Sequence, residues 1–140
     1  TGSEWIVYIT NLTIEHIILF SEITLPEVAA AFAAKQRAPH GFTLNARDQA
    51  LSSFLQDCIE SFTLLQVDRD VITLAVELTQ SHRLRGYDAV HLATALIAND
   101  NLMQHNSPPV VFIAADSNLL DAAEAEGLKI RNPLDISLTR

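Results

Sequence analysis

The stretch Leu84-Arg85-Gly86-Tyr87-Asp88-Ala89-Val90-His91-Leu92-Ala93-Thr94-Ala95 decides how this chain is read. Gly86 interrupts the pattern before it, and Tyr87 opens the helix richest in Ala and Leu, both strong helix formers. Asp88 falls in the first turn, where a carboxylate faces the positive end of the helix dipole. Downstream, Pro108-Pro109 introduces Val110-Val111-Phe112-Ile113-Ala114, a short apolar run that reads as the clearest buried strand. Asp116-Ser117-Asn118 then begins a helix that stops at Gly127, a natural residue just past a helix end. Leu128-Lys129-Ile130 reads as a last edge strand.

The same pattern runs upstream. Asp70 begins a helix through Val71, Leu74, Ala75 and Leu78, and Phe62 to Val67 reads as a strand. From Thr43 to about Ser61, Leu44, Ala50, Leu51, Phe54, Leu55 and Ile59 recur at helical spacing. Ala38-Pro39-His40-Gly41 breaks an earlier helix opened by Thr24-Leu25-Pro26-Glu27. Thr24 is its expected cap, and Pro26 sits in the first turn, where its missing N–H costs nothing. Ile17-Ile18-Leu19-Phe20 suits a strand buried on both faces. Ser3-Glu4-Trp5-Ile6 reads as a helix start with Ser3 as cap, although Ile6 to Thr10 are also strand formers. Short strands alternating with helices, without repeats or low-complexity linkers, predict a single α/β domain over 1–140, a parallel sheet covered by helices.

Composition bounds the function. Apolar residues make up 49% of the 140 and charged ones 19%, so the chain folds around a core. Nine basic residues against 17 acidic ones give a net charge of −8 at pH 7. Such a surface is a poor general partner for nucleic acid or an anionic membrane, so an RNA substrate needs a local reversal of sign, which a bound divalent cation supplies. The one cysteine, Cys58, excludes an internal disulfide and fits a reducing, cytoplasmic compartment. No apolar run reaches the roughly 18 residues of a membrane span. The start, Thr1-Gly2-Ser3-Glu4, lacks the basic region of a signal peptide and an initiator Met, and reads as a chain cut or begun late.

In open parallel sheets ligands bind at the carboxyl ends of the strands. Three acids fall just after a strand or in the first turn of a helix: Glu27, Asp88 and Asp116. Clustered carboxylates repel one another unless a cation sits between them, and Mg²⁺ is held by a few carboxylates plus water and substrate phosphates. Such an ion activates water and stabilises charge on a scissile phosphate. Each acid also has an ordinary structural reading that taken singly outweighs the chemical one. Glu27 and Asp88 favour a helix dipole, and Asp116 caps a helix.

Three segments together carry a resemblance. Glu22-Ile23-Thr24-Leu25-Pro26-Glu27-Val28-Ala29-Ala30-Ala31 resembles the segment of PIN domains in which a strand leads to a helix bearing an acidic Glu. Leu84 to Ala95 is similar to the central PIN signature, R-x-Y-D-A-x-H-L-A-x-A. Phe112-Ile113-Ala114-Ala115-Asp116-Ser117-Asn118-Leu119-Leu120 is similar to the segment with the last acid. The resemblance covers Gly2 to about Pro133 and is nearest to the VapC-type toxins of bacterial toxin–antitoxin pairs. It implies a three-layer α/β/α PIN-like domain acting as a Mg²⁺- or Mn²⁺-dependent endoribonuclease. RNA would be its substrate, an antitoxin protein its partner, and a homo-oligomer its state. Glu27, Asp88 and Asp116 then fall on the catalytic, metal-binding acids.

Two departures accompany the likeness. The family begins with a central strand ending in Asp, and here no Asp occurs before Asp48, so that strand and its acid are expected to be missing. Ala114 also stands where the family often has Ser or Thr. The expectation is an impaired enzyme that associates to cover its open strands. The alternative is a non-catalytic PIN-like module that self-associates or binds a protein. Among other residues, His91 is read as a helix-packing side chain. Arg83 and Arg85 are read equally as holders of RNA phosphates and as solvated or acid-paired cations. Lys35 and Arg37 answer a helix dipole, Cys58 is an inert thiol in or near the core, and His16, His40, His82 and His105 form no ligand spacing.

Overall fold

The computed structural model describes residues 16–135. The expected helix start at Ser3 and the strand formers from Ile6 to Thr10 lie outside the described residues, as does the question of the first strand. The chain divides into two compact units, one spanning Ile17–Gln66 and the other containing Val67 onward.

In the unit Ile17–Gln66, strand β1 (Leu19–Ser21) leads into helix α1 (Thr24–Arg37), then α2 (Leu44–Glu60) and β2 (Thr63–Leu65). The strands are parallel, with Leu19 opposite Thr63 and Ser21 opposite Leu65. Two bonds extend the ladder, Thr63 N–H to the Ile18 carbonyl and Glu22 N–H to the Leu65 carbonyl, both 2.9 Å. Phe20 and Phe62 meet edge to face at 5.0 Å. Parallel neighbours need a crossover, and the α1–α2 hairpin provides it. The hairpin bends at Gly41, where a Cβ would lie 1.7 Å from the Lys35 carbonyl oxygen. Only glycine permits that approach. Thr43 caps α2 by accepting from Ala46 N–H at 3.1 Å. Lys35 Nζ rests 4.6 Å from the centre of the Phe42 ring, a cation–π contact beside the dipole role expected of it.

Two expectations change here. Thr24 is the first helical residue and not the cap: Ile23 occupies that position with helical angles, φ −64° and ψ −18°, and no side chain caps α1. The run Ile17 to Phe20 is not buried on both faces. Ile17 lies before the strand and is 82% exposed, while Leu19 and Phe20 are half-buried.

In the second unit, α3 (Arg69–Ser81) and α4 (Gly86–Gln104) are followed by β3 (Val111–Ile113), α5 (Ser117–Ala125) and β4 (Lys129–Arg131). The cap of α3 is Asp68, whose Oδ1 accepts Val71 N–H at 3.0 Å, two residues before the expected start. Val71, Ala75 and Leu78 repeat at helical spacing and face Ala89, Leu92 and Ala93 of α4; Leu119, Ala122 and Ala123 of α5 and Leu128 complete the core. Small side chains on both facing helices permit close packing, and Leu92 is fully buried between them. The pair β3–β4 is parallel, with Val111 opposite Lys129 and Ile113 opposite Arg131, and α5 is its crossover. Gly127, at φ 93°, ends α5 with Gly127 N–H on the Glu124 carbonyl and Leu128 N–H on that of Ala123. This is a Schellman closure.

The strand expected to be most buried is covered on one face. Phe112 packs on the core, whereas Val111 is 47% and Ile113 36% exposed. Successive strand residues point to opposite faces, so an apolar run reports affinity for cover and not its presence. Each unit thus holds one two-stranded parallel pair crossed by helices. The architecture is mixed α/β.

Candidate active site

Asp116 follows β3 by three residues and stands at the N-cap of α5. Its Oδ1 accepts Leu119 N–H at 2.9 Å, and its backbone carbonyl accepts Leu120 N–H at 3.0 Å. The capping role foreseen as the structural alternative is therefore real. It engages one carboxylate oxygen, and the side chain remains exposed at the carboxyl end of a parallel strand.

Asp88 occupies the first turn of α4, two residues after Gly86, and is half-buried. Arg85 precedes the helix as its N-cap and contributes no side-chain cap bond. Both acids of this unit thus lie at helix N-termini, whose unsatisfied N–H groups favour negative charge. His91, one turn beyond Asp88, is half-buried in the helix body.

Glu27 lies in the first turn of α1, exposed, in the unit Ile17–Gln66. Its backbone N–H reaches the Ile23 carbonyl at 3.4 Å. Two neighbours unremarked in the sequence accompany it. Ser21 ends β1 with a buried side chain whose Oγ accepts Ile23 N–H at 3.4 Å, fixing the turn into α1. Glu22 extends the strand ladder through its backbone. The signal for both is their place at the carboxyl end of a strand.

Asn99 was also missed. Buried within α4, it accepts Val110 N–H on Oδ1 at 2.9 Å and donates to Met103 Sδ at 3.4 Å. It ties the entry of β3, and so the route to Asp116, to the helix that carries Asp88. His82 and Glu126, 2.8 Å apart, join the end of α3 to the end of α5. No local pattern announces such long-range pairs.

Among the described residues no group of three or more His, Cys, Asp and Glu forms a metal cage. The donors available are carboxylate oxygens, the hard ligands that Mg²⁺ and Mn²⁺ prefer, and Mg²⁺ needs only one or two from protein beside water and substrate phosphate. Asp88 and Asp116 carry donors of that kind. Cys58 does not compete for a metal: burial, and then the neighbouring Asp57 carboxylate, push its thiol pKa up and keep it protonated. No helix among the described residues is long and apolar enough to cross a membrane.

No protein-family model matches the chain, and no solved structure matches it. Two proteins of Mycobacterium tuberculosis do. Ribonuclease VapC45 of strain CDC 1551 / Oshkosh is 33% identical over 112 residues, 80% of this chain and 72% of its own length. Ribonuclease VapC49 of strain ATCC 25618 / H37Rv matches to the same extent. At this identity and coverage the chain belongs to the VapC ribonuclease family.

Proposed function

We propose that the chain is a metal-dependent endoribonuclease of PIN type, the toxin of a toxin–antitoxin pair, with RNA as substrate and an antitoxin protein as partner. The observation that carries this reading is the placement of Asp88 and Asp116 within one unit. Asp88 lies in the first turn of α4, and Asp116 caps α5 three residues after a parallel strand. The reading carries with it a PIN-like α/β/α fold and adds Glu27, in the first turn of α1, as a third acid. A Mg²⁺ or Mn²⁺ ion held by these acids would supply an activated water and neutralise charge on the scissile phosphate.

The protein's own groups do the rest. The carboxylates of Asp88 and Asp116, with Glu27 as the third acid of the reading, would hold the ion. The helix N-termini at Asp88 and Asp116 offset the mutual repulsion of the acids. Apolar side chains left exposed, such as Ile59 in one unit and Val76 in the other, favour a homo-oligomer. The test is cleavage of a single-stranded RNA followed on a gel with Mg²⁺, with Mn²⁺ and with EDTA. Cleavage with either ion, absent in EDTA and in Asp88→Asn, supports the proposal. A protein inactive with both ions, or active in EDTA, overturns it.

A further inference from the structure

The linker between α3 and α4 alternates in exposure. His82 is half-buried with Nε2 in hydrogen-bond contact with Glu126, Arg83 is exposed, Leu84 packs on the core, and Arg85 is exposed. Leu84 N–H also closes on the His82 carbonyl at 2.9 Å, and Arg85 begins the turn of α4 by accepting Ala89 N–H at 3.0 Å. The γ-turn at Arg83 and the extended backbone at His82 and Arg85 leave residues 83 and 85 on the solvent side and Leu84 between them on the core. A linker pinned at both ends and at its centre therefore presents two guanidinium groups in fixed order ahead of Asp88.

Neither arginine has an ion-pair partner among the described residues. That is unexpected in a chain with 17 acids against nine bases. Two adjacent cations without a carboxylate between them repel each other, and an anion lying across both relieves the repulsion. Arginine's planar fork suits phosphate oxygens in particular. Arg85 at the N-cap and Asp88 in the first turn are three apart and so share a helix face.

We infer that Arg83 and Arg85 form an anion-binding step that grips consecutive phosphates of an RNA strand and delivers the next one to Asp88. This rests on the ribonuclease reading and adds to it the residues that overcome the net charge of −8 at the point where RNA enters. The arginines position substrate and take no part in the chemistry.

The experiment measures binding of a fluorescent single-stranded RNA 12-mer by anisotropy, in EDTA to silence cleavage, over a series of salt concentrations. Arg83→Ala and Arg85→Ala each weaken binding roughly five- to tenfold at low salt, within the range of a charged hydrogen bond at an exposed site. The double variant lowers the slope of log affinity against log salt by about 1.4, at about 0.7 per phosphate on single strands. Arg83→Lys with Arg85→Lys keeps the slope and loses part of the affinity. Arg69→Ala removes the same charge at the far end of the 13-residue α3, about 20 Å away and beyond the screening length of about 10 Å at about 0.1 M salt, and binds as the wild type. In Mg²⁺ the double alanine variant raises KM with kcat retained.

A protein that cleaves RNA while the double variant keeps wild-type affinity and slope overturns the inference and leaves the ribonuclease reading standing. Equal weakening by Arg69→Ala overturns it as well, by reducing it to net charge. A double variant that binds RNA normally and loses polyglutamate binding assigns the pair to an acidic polypeptide and also overturns it. A chain that neither binds nor cleaves RNA removes both.

Discussion

Replacing Asp116 by Asn and by Ala separates its two roles. The structure gives it a definite mechanical one, because Oδ1 accepts Leu119 N–H at 2.9 Å and closes the first turn of α5. Asn makes the same bond and ranks with Asp as a cap, so Asp116→Asn forfeits only the favourable charge at the dipole, about 0.3–1 kcal/mol for an exposed site. Ala loses the cap as well, about 1 kcal/mol more. Since α5 supplies Leu119, Ala122 and Ala123 to the core, fraying there is felt by the whole unit. For a chain of this size 1 kcal/mol moves Tm by about 3–4 °C, so Asn shifts it by no more than about 4 °C and Ala by about 4–8 °C. Activity orders differently. A neutral amide cannot replace a carboxylate facing a divalent ion, so RNA cleavage falls by two or more orders of magnitude in both variants, by analogy with removal of one preorganised catalytic group. Differential scanning calorimetry beside a gel-based cleavage assay reads both. Wild-type cleavage by Asp116→Asn would show that Asp116 is a cap and nothing more.

Three further outcomes are expected. Leu92→Ala empties the fully buried position between α3 and α4 and costs about 3–4 kcal/mol, lowering Tm by about 10 °C in a thermal melt; a change of a degree or two would mean that the core is packed elsewhere. Burial holds the Cys58 thiol neutral in the folded state. Above the ordinary thiol pKa of about 8.5 the unfolded chain ionises first, and stability falls as pH rises. The urea midpoint of the wild type therefore declines relative to Cys58→Ala from about pH 7 to about pH 10, and a constant difference would contradict the assignment. Sedimentation at low micromolar concentration gives a species larger than the monomer, while a cooperative monomer would mean that the exposed Val76, Val111 and Ile59 need no cover.

Helices were more legible in the sequence than strands, for physical reasons. Thr43 and Asp116 announce helix starts because a short polar side chain can close on a backbone N–H two or three residues later. The shift from Asp70 to Asp68 has the same origin, since only the earlier Asp reaches Val71 N–H. Thr24 misled because Ile23 is already helical. Each described strand has three residues, and β1, β2 and β3 are shorter than the apolar runs that signalled them, because a run such as Val110 to Ala114 is apolar wherever its neighbours end. For the site, the places of Glu27, Asp88 and Asp116 in first turns or at caps could be read from the same start signals. Whether three such acids share an ion depends on packing, which spacing does not encode. Asn99 on Val110 and His82 on Glu126 could not be read, since each joins residues brought together only by the fold.

The shared ion is tested most directly by calorimetric titration of Mn²⁺ into the wild type, Glu27→Gln, Asp88→Asn and Asp116→Asn. The account predicts one saturable site in the wild type and a loss of at least about tenfold in affinity in each variant, since even the partners of metal ligands contribute that much. Wild-type affinity in any one variant would remove that residue from the centre, and the absence of binding to the wild type would contradict the centre altogether.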